Sequence, residues 1–205
     1  MNKIYLVQHC QSEHHINELT GGWTDTPLTE LGKKQAVAVV NELKALKVND
    51  FYLFSSDLRR AKMTAEFICK EFNQKIELYD TLREVNNGVA VNKTKEWSNN
   101  NKLFESNTIV VDKPLWQNAE TPRELHNRMS KFIDDHLMNI TNEIVLVSHG
   151  VAIGYLISSW LGISPEMMSN VFIKGNAGGI SCITRNDLGQ NLLTMFNSTS
   201  HLKNL

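Results

Sequence analysis

A chain of 205 residues is long enough for one sizeable hydrophobic core, and a single α/β domain over 1–205 is the natural reading. With 41% apolar and 21% charged residues it reads as a globular chain and not a disordered one. A formal net charge of −1 gives no electrostatic reason to expect nucleic acid or an anionic membrane as partner, so any anion site has to be built locally.

Ile4-Tyr5-Leu6-Val7 predicts a short buried strand that runs into polar residues. Thr29 is placed to cap a helix in which Leu31, Ala36, Val39, Val40, Leu43 and Leu46 recur near helical spacing. Phe51 to Phe54 predicts a second buried strand, followed by a Ser55-Ser56-Asp57 loop and a helix over 58–72. A short strand at 76–79 precedes a polar, Asn-rich excursion over the sheet edge, from Arg83 to about Lys113, with a helix near 95–104. Thr121 caps a helix that puts Leu125, Met129 and Phe132 on one face. Ile144 to Val147 predicts the third buried strand, 151–161 a helix, and 180–184 and 192–196 two closing strands. Strand and helix alternate and the strands are continuous apolar runs, which favours a mostly parallel sheet covered on both faces.

Three cysteines, Cys10, Cys69 and Cys182, cannot all pair within one chain, and none has a CxxC or Cys/His metal spacing. The apolar run after Met1-Asn2-Lys3 is too short for a signal-peptide core. The stretch 151–163 is interrupted by Gly154, Ser158 and Ser159 and falls short of the roughly 20 residues a membrane span needs. A cytoplasmic protein with no membrane partner is the expectation; self-association into a homo-oligomer is left open.

Each of the three buried strands ends in a polar cluster: Gln8-His9-Cys10-Gln11-Ser12, Ser55 to Arg60, and Ser148-His149-Gly150. In open α/β sheets ligands bind beyond the carboxyl ends of the strands. Two histidines and an arginine would converge there, with Glu84 nearby in Leu82-Arg83-Glu84. That set suits phosphoryl transfer. Arginine grips non-bridging oxygens, a neutral imidazole attacks phosphorus, and a carboxylic acid protonates the departing alkoxide. The backbone amides after Gly150 would add positive potential.

On these residues the chain resembles the histidine phosphatase superfamily, the phosphoglycerate-mutase-like group, over nearly its whole length. Leu6-Val7-Gln8-His9-Cys10-Gln11-Ser12 is similar to the opening signature, Leu-Val-Arg-His-Gly followed by Glu or Gln and Thr or Ser. Asn17, Gly22, Asp25 to Thr29 and Gly32 resemble the loop that follows. Ser56 to Ala61, with Thr64-Ala65, resembles the second signature; Leu82-Arg83-Glu84 and Val147 to Gly150 match the segments of the acid and the second histidine. The resemblance implies a three-layer α/β/α fold and a phosphohistidine intermediate on His9. It also implies a phosphoryl group held by Arg60 and His149, Glu84 as proton donor and acceptor, substrate contacts from Gln8 and Asn17, and neither metal nor cofactor. Two departures stand out: Gln8 replaces the first arginine and Cys10 the glycine. Arg83 is a candidate for the cation that Gln8 does not supply.

The function this implies is phosphoric monoester hydrolysis of a small-molecule phosphomonoester. A phosphoglycerate mutase is the first alternative, disfavoured because only 85–118 separates Glu84 from Ala119-Glu120-Thr121, without the longer insertion usual in cofactor-dependent mutases. An inactive phosphate-ligand binding module, motivated by Gln8 and Cys10, is the second. His14 and His15 read as rim residues of the pocket and not as metal ligands, since adjacent side chains point apart. Arg128 reads as a structural pairing residue.

Overall fold

Runs of Val, Ile, Leu and Phe make the centre of a six-stranded sheet in the computed structural model, which describes residues 3–105, 110–138 and 141–205. The strands are β1 (Ile4–Gln8), β2 (Phe51–Ser56), β3 (Ile76–Tyr79), β4 (Glu143–Ser148), β5 (Ile180–Arg185) and β6 (Asn191–Ser198). Their order is β3-β2-β4-β1-β5-β6. The first four in that order are parallel, while β5 pairs antiparallel with both β1 and β6. The strands β1, β2 and β4 lie inside the sheet and need apolar residues on both faces, which is why they read as unbroken runs. Edge strand β3 is only partly buried.

The helices are α1 (Glu13–Ile16), α2 (Glu30–Ala45), α3 (Arg59–Phe72), α4 (Lys95–Asn100), α5 (Pro122–His136) and α6 (Gly150–Trp160). Alternation along the strands divides the core into two layers. Tyr5, Val7, Val145 and Val147 pack with Val39, Leu43, Ala61 and Ile68 of α2 and α3. Ile4, Leu6, Ile144 and Leu146 pack with Leu125, Met129, Leu156 and Ile157 of α5 and α6 on the other face. The three-layer α/β/α architecture follows, with a mostly parallel sheet between two helical layers.

The caps explain where the helices begin. Thr29 Oγ1 accepts the Gly32 N–H at 3.0 Å. At α5, Thr121 and Glu124 form a reciprocal capping box with Pro122 in the first turn, fixing the donors a helix start leaves unpaired. Helix α3 ends at Asn73, which takes the left-handed conformation asparagine tolerates. The helix expected near 95–104 stops at Asn100, because Asn99-Asn100-Asn101 is a run of weak helix formers whose side chains compete for the backbone. Within the expected edge excursion, 106–109 lies outside the described residues. Among the described residues no helix is long and apolar enough to cross a membrane.

Register fixes the site. Gln8 of β1 stands opposite Ser148 of β4, and Ser55 of β2 opposite Val147. The polar residues that follow β1, β2 and β4 therefore emerge together at the carboxyl end of the sheet.

Candidate active site

His9 leaves β1 buried, with only 3% of its surface exposed. Its Nδ1 lies 2.8 Å from the Cys10 carbonyl oxygen. A carbonyl only accepts, so Nδ1 carries the proton and the Nε2 lone pair is the reactive one. Burial, reinforced by the Arg60 charge, holds the His9 pKa well below the ordinary 6.5, so the imidazole is neutral at physiological pH.

Arg60 sits in the first turn of α3 and is 1% exposed. Its Nε donates to His9 Nε2 at 3.1 Å. Nη1 and Nη2 donate at 2.7 Å to the carbonyls of Thr24 and Gly22. Burial lowers its pKa to about 10, opposed by Glu84 and Asp25, and it remains a cation at neutral pH. Five N–H donors less three leaves two for a ligand. Gly22 holds its carbonyl in place with φ +55°, and a Cβ there would collide with Asn87 Oδ1 at 2.1 Å, so the loop from Gly21 to Asp25 depends on glycine at that turn.

Glu84 is 9% exposed and is anchored by main chain alone. Oε1 accepts the N–H of Val85 at 3.0 Å and of Ala152 at 2.9 Å, and Oε2 accepts that of Val151 at 3.0 Å. The amides of the first turn of α6, expected to face a phosphate, are thus taken up by this carboxyl. Arg128 braces the same segment: its guanidinium donates to the carbonyls of Thr81 and Arg83 at 2.8 Å and forms a two-point pair with Glu120. Ser148 Oγ adds a bond to the Leu82 carbonyl at 2.7 Å.

His149 is fully buried, its ring centroid 5.0 Å from that of His9. Its Nε2 is 2.9 Å from Ser56 Oγ, and Nδ1 has no partner among the described residues. Burial, then Arg60 and His9, keeps its pKa well below 6.5. His14 and His15 flank His9; burial first lowers them to about 3 and about 4. Among the described residues no three His, Cys, Asp or Glu side chains are grouped to hold a metal ion.

The structure brings Gln8, His9, Arg60 and Glu84 around one cavity of about 160 Å³, with His14 and His15 in its wall. Gln8 is wedged there: a Cβ on Gly150 would meet its amide at 3.3 Å, and one on Gly175 would meet its Oε1 at 2.6 Å. Cys10 turns away. Its Sγ packs in the core and burial pushes its thiol up to about 12, so it is no nucleophile at neutral pH. Its φ is not in the left-handed region, and a side chain is accommodated without strain.

Three expected contacts do not line the cavity. His149 is fully buried and engaged with Ser56, and stands beside His9 without reaching the cavity wall. Asn17 is exposed and caps α1. Arg83 makes a two-point ion pair with Asp57, at 2.7 and 2.5 Å, and stacks 4.8 Å over the Trp23 ring. Two residues that sequence reasoning missed do line it: Lys174, an exposed cation, and Phe172. Both belong to the loop between α6 and β5, which carries no periodicity. The one signal there is the glycine pattern of Gly175, Gly178 and Gly179 beside a lysine.

The model of the histidine phosphatase superfamily (branch 1) matches residues 4–198. The chain belongs to this superfamily. A curated relative, "Probable phosphoglycerate mutase GpmB" of Escherichia coli O1:K1, is 31% identical over 169 residues, 80% of this chain and 76% of that protein. Among solved structures, phosphoserine phosphatase of Entamoeba histolytica in complex with 3-phosphoglyceric acid is similar with a TM-score of 0.80 and 26% identity. That alignment covers 98% of this chain and all of the other. The α-ribazole phosphatase of Shigella flexneri shares the fold, with a TM-score of 0.79, 21% identity and 96% of each chain covered. In this chain Gln8 fills a slot between two glycines and Cys10 joins the core.

Proposed function

We propose that this superfamily member is a phosphomonoester hydrolase working through a phosphohistidine on His9. The observation that carries this reading is the fixed His9 tautomer. Nδ1–H is tied to the Cys10 carbonyl, and Nε2 faces the guanidinium that would receive the phosphoryl group. Substrate phosphate replaces the Arg60 Nε contact and frees the lone pair. Nε2 bonds to phosphorus while the P–O ester bond breaks. Glu84, in its acid form, gives its proton to the departing oxygen. Glu84 then takes a proton from water as the water oxygen bonds to phosphorus and the N–P bond breaks, releasing inorganic phosphate and neutral His9. Arg60, Lys174 and Gln8, which line the cavity, offset charge on the equatorial oxygens. The Cys10 carbonyl steadies the imidazolium during the covalent stage.

A phosphatase is favoured by the likeness to the Entamoeba phosphatase, a mutase by the curated name of the Escherichia coli relative. The test separates them. Incubation with a ³²P-labelled phosphomonoester should leave an acid-labile, base-stable label on the wild type and none on His9→Ala, with inorganic phosphate as the product. Rapid formation of 2-phosphoglycerate from 3-phosphoglycerate and a bisphosphorylated primer, without phosphate release, would make it a mutase. A fully active His9→Ala would end both readings.

A further inference from the structure

The phosphoryl cavity has a neighbour. Val151 and Phe172 line it and also line a second cavity of about 280 Å³, whose other walls include Val85, Trp116, Leu125 and Tyr155. Glu84 stands at the junction. It lines the first cavity, and its carboxyl accepts the N–H groups of Val85 and Val151, two residues of the second. In a phosphomonoester the bridging oxygen has phosphorus on one side and the carbon of the alcohol on the other. An acid between two cavities serves that oxygen when phosphate fills the first and the alcohol fills the second.

The second cavity is apolar, and the one carboxylate in its described lining is already engaged. Glu120 is in the lining, but Arg128 holds both its oxygens, at 2.8 and 2.7 Å, and the Asn86 N–H donates to one at 3.1 Å. Lys113, the one cation in the described lining, is exposed and lies 6.0 Å over the Phe104 ring. A leaving group bearing its own carboxylate or ammonium would lose water in this cavity without gaining a buried partner. A volume near the lower end of small-molecule sites, roughly 300–1,000 Å³, suits one or two rings or a short alkyl chain.

We infer that the second cavity is the leaving-group site and that the substrates are phosphomonoesters of apolar, uncharged alcohols. This assignment rests on the hydrolase reading for its chemistry, but its binding component can be tested apart. Two matched series are the probes: n-alkylphosphonates, which cannot be hydrolysed, measured by calorimetry, and n-alkyl phosphates from ethyl to hexyl, measured by phosphate release. Leaving-group acidity barely changes along the alkyl series, so chain length reports burial. Affinity and kcat/KM should rise together by about two- to fourfold per methylene until the cavity is full. Phosphoserine and 3-phosphoglycerate should be at least tenfold poorer than the butyl ester. Val171 lines only the second cavity and is 44% exposed, so Val171→Asp puts a charge in the wall at little risk to folding. It should flatten the chain-length slope. A flat phosphonate series, or a slope unchanged in Val171→Asp, overturns the leaving-group assignment. A rising phosphonate series with no hydrolysis of the matching phosphates overturns the hydrolase reading and leaves the apolar site standing.

Discussion

Arg60 donates its Nε–H to His9 Nε2 over 3.1 Å while its two Nη groups are pinned to the carbonyls of Gly22 and Thr24. One guanidinium thus joins His9 to the loop between α1 and α2. The arrangement is possible because Arg60 lies in the first turn of α3, where β2 delivers it beneath that loop, and because a planar fork serves three acceptors at once. The two carbonyl contacts hold the guanidinium before substrate arrives, so only its Nε contact to His9 has to be exchanged.

Arg60→Lys should therefore fail on two counts. An ammonium cannot reach the three acceptors in one plane, and the Gly22 and Thr24 carbonyls lose charged donors. A loss of about 10²–10³ in kcat/KM on an aryl phosphate is expected. Each buried carbonyl left unpaired should cost about 1–3 kcal/mol, read as a lowered denaturant midpoint. Full activity with a normal midpoint would mean that the guanidinium does not organise the site.

Glu84→Gln separates acid catalysis from anchoring. The amide opposes one of the three N–H groups that Glu84 now accepts, so some loss is common to every substrate. The difference lies in the leaving group. An alkoxide needs the proton, and alkyl phosphates should slow by about 10²–10⁴, whereas a p-nitrophenyl ester should slow far less. Equal losses on both would remove Glu84 from the acid role.

The convergence of His9, Arg60 and Glu84 on one cavity, with His149 beside His9, was legible because each follows a strand end or sits in a motif, and motifs record main-chain position. Side-chain direction was less legible. Arg83 is next to Glu84 in the chain, yet neighbouring residues of an extended segment face opposite ways, and Asp57 with Trp23 claims the guanidinium. The free amides of α6 looked available for phosphate until Glu84 was found to use them. Lys174 and Phe172 lie on a loop with neither period nor motif, and only tertiary structure returns that loop to the site. Helices α2 and α5 were legible from their caps at Thr29 and Thr121, whereas the short α1 has no periodicity to announce it and α4 ends early at its asparagines.

The buried histidines give stability a pH dependence of definite sign. His9 and His149 are held well below the ordinary 6.5, His14 at about 3 and His15 at about 4, each mainly by burial. Below 6.5 the unfolded chain takes up protons that the folded chain refuses. Stability should therefore be fully present above that value and be lost progressively as pH falls from it through about 4 and on to about 3. Urea midpoints measured from pH 8 to pH 4.5 should show this fall, and His14→Gln should make it shallower. A midpoint unchanged between pH 7 and pH 5 would show that the folded chain protonates these rings as readily as the unfolded one.

The last expectation concerns charge around the phosphoryl group. Gln8 sits between Gly150 and Gly175 and brings no charge to the cavity, and Lys174 adjoins that second glycine and lines the same cavity. If Lys174 supplies the positive charge that Gln8 does not, the two positions are coupled. Lys174→Gln should lower kcat/KM by about tenfold, less than the 10²–10³ for a buried preorganised donor, because an exposed lysine is screened by water. Gln8→Arg alone should gain little, since a second cation adds repulsion and a longer side chain must clear Gly175. In the double variant, Gln8→Arg should recover part of what Lys174→Gln loses. Steady-state kinetics on one aryl phosphate for the four proteins close a double-mutant cycle, and a coupling of at least about 0.5 kcal/mol is the expected result. Strict additivity would place Lys174 outside the phosphoryl site, and a Lys174→Gln variant as active as the parent would show that Gln8 leaves no charge to be made good.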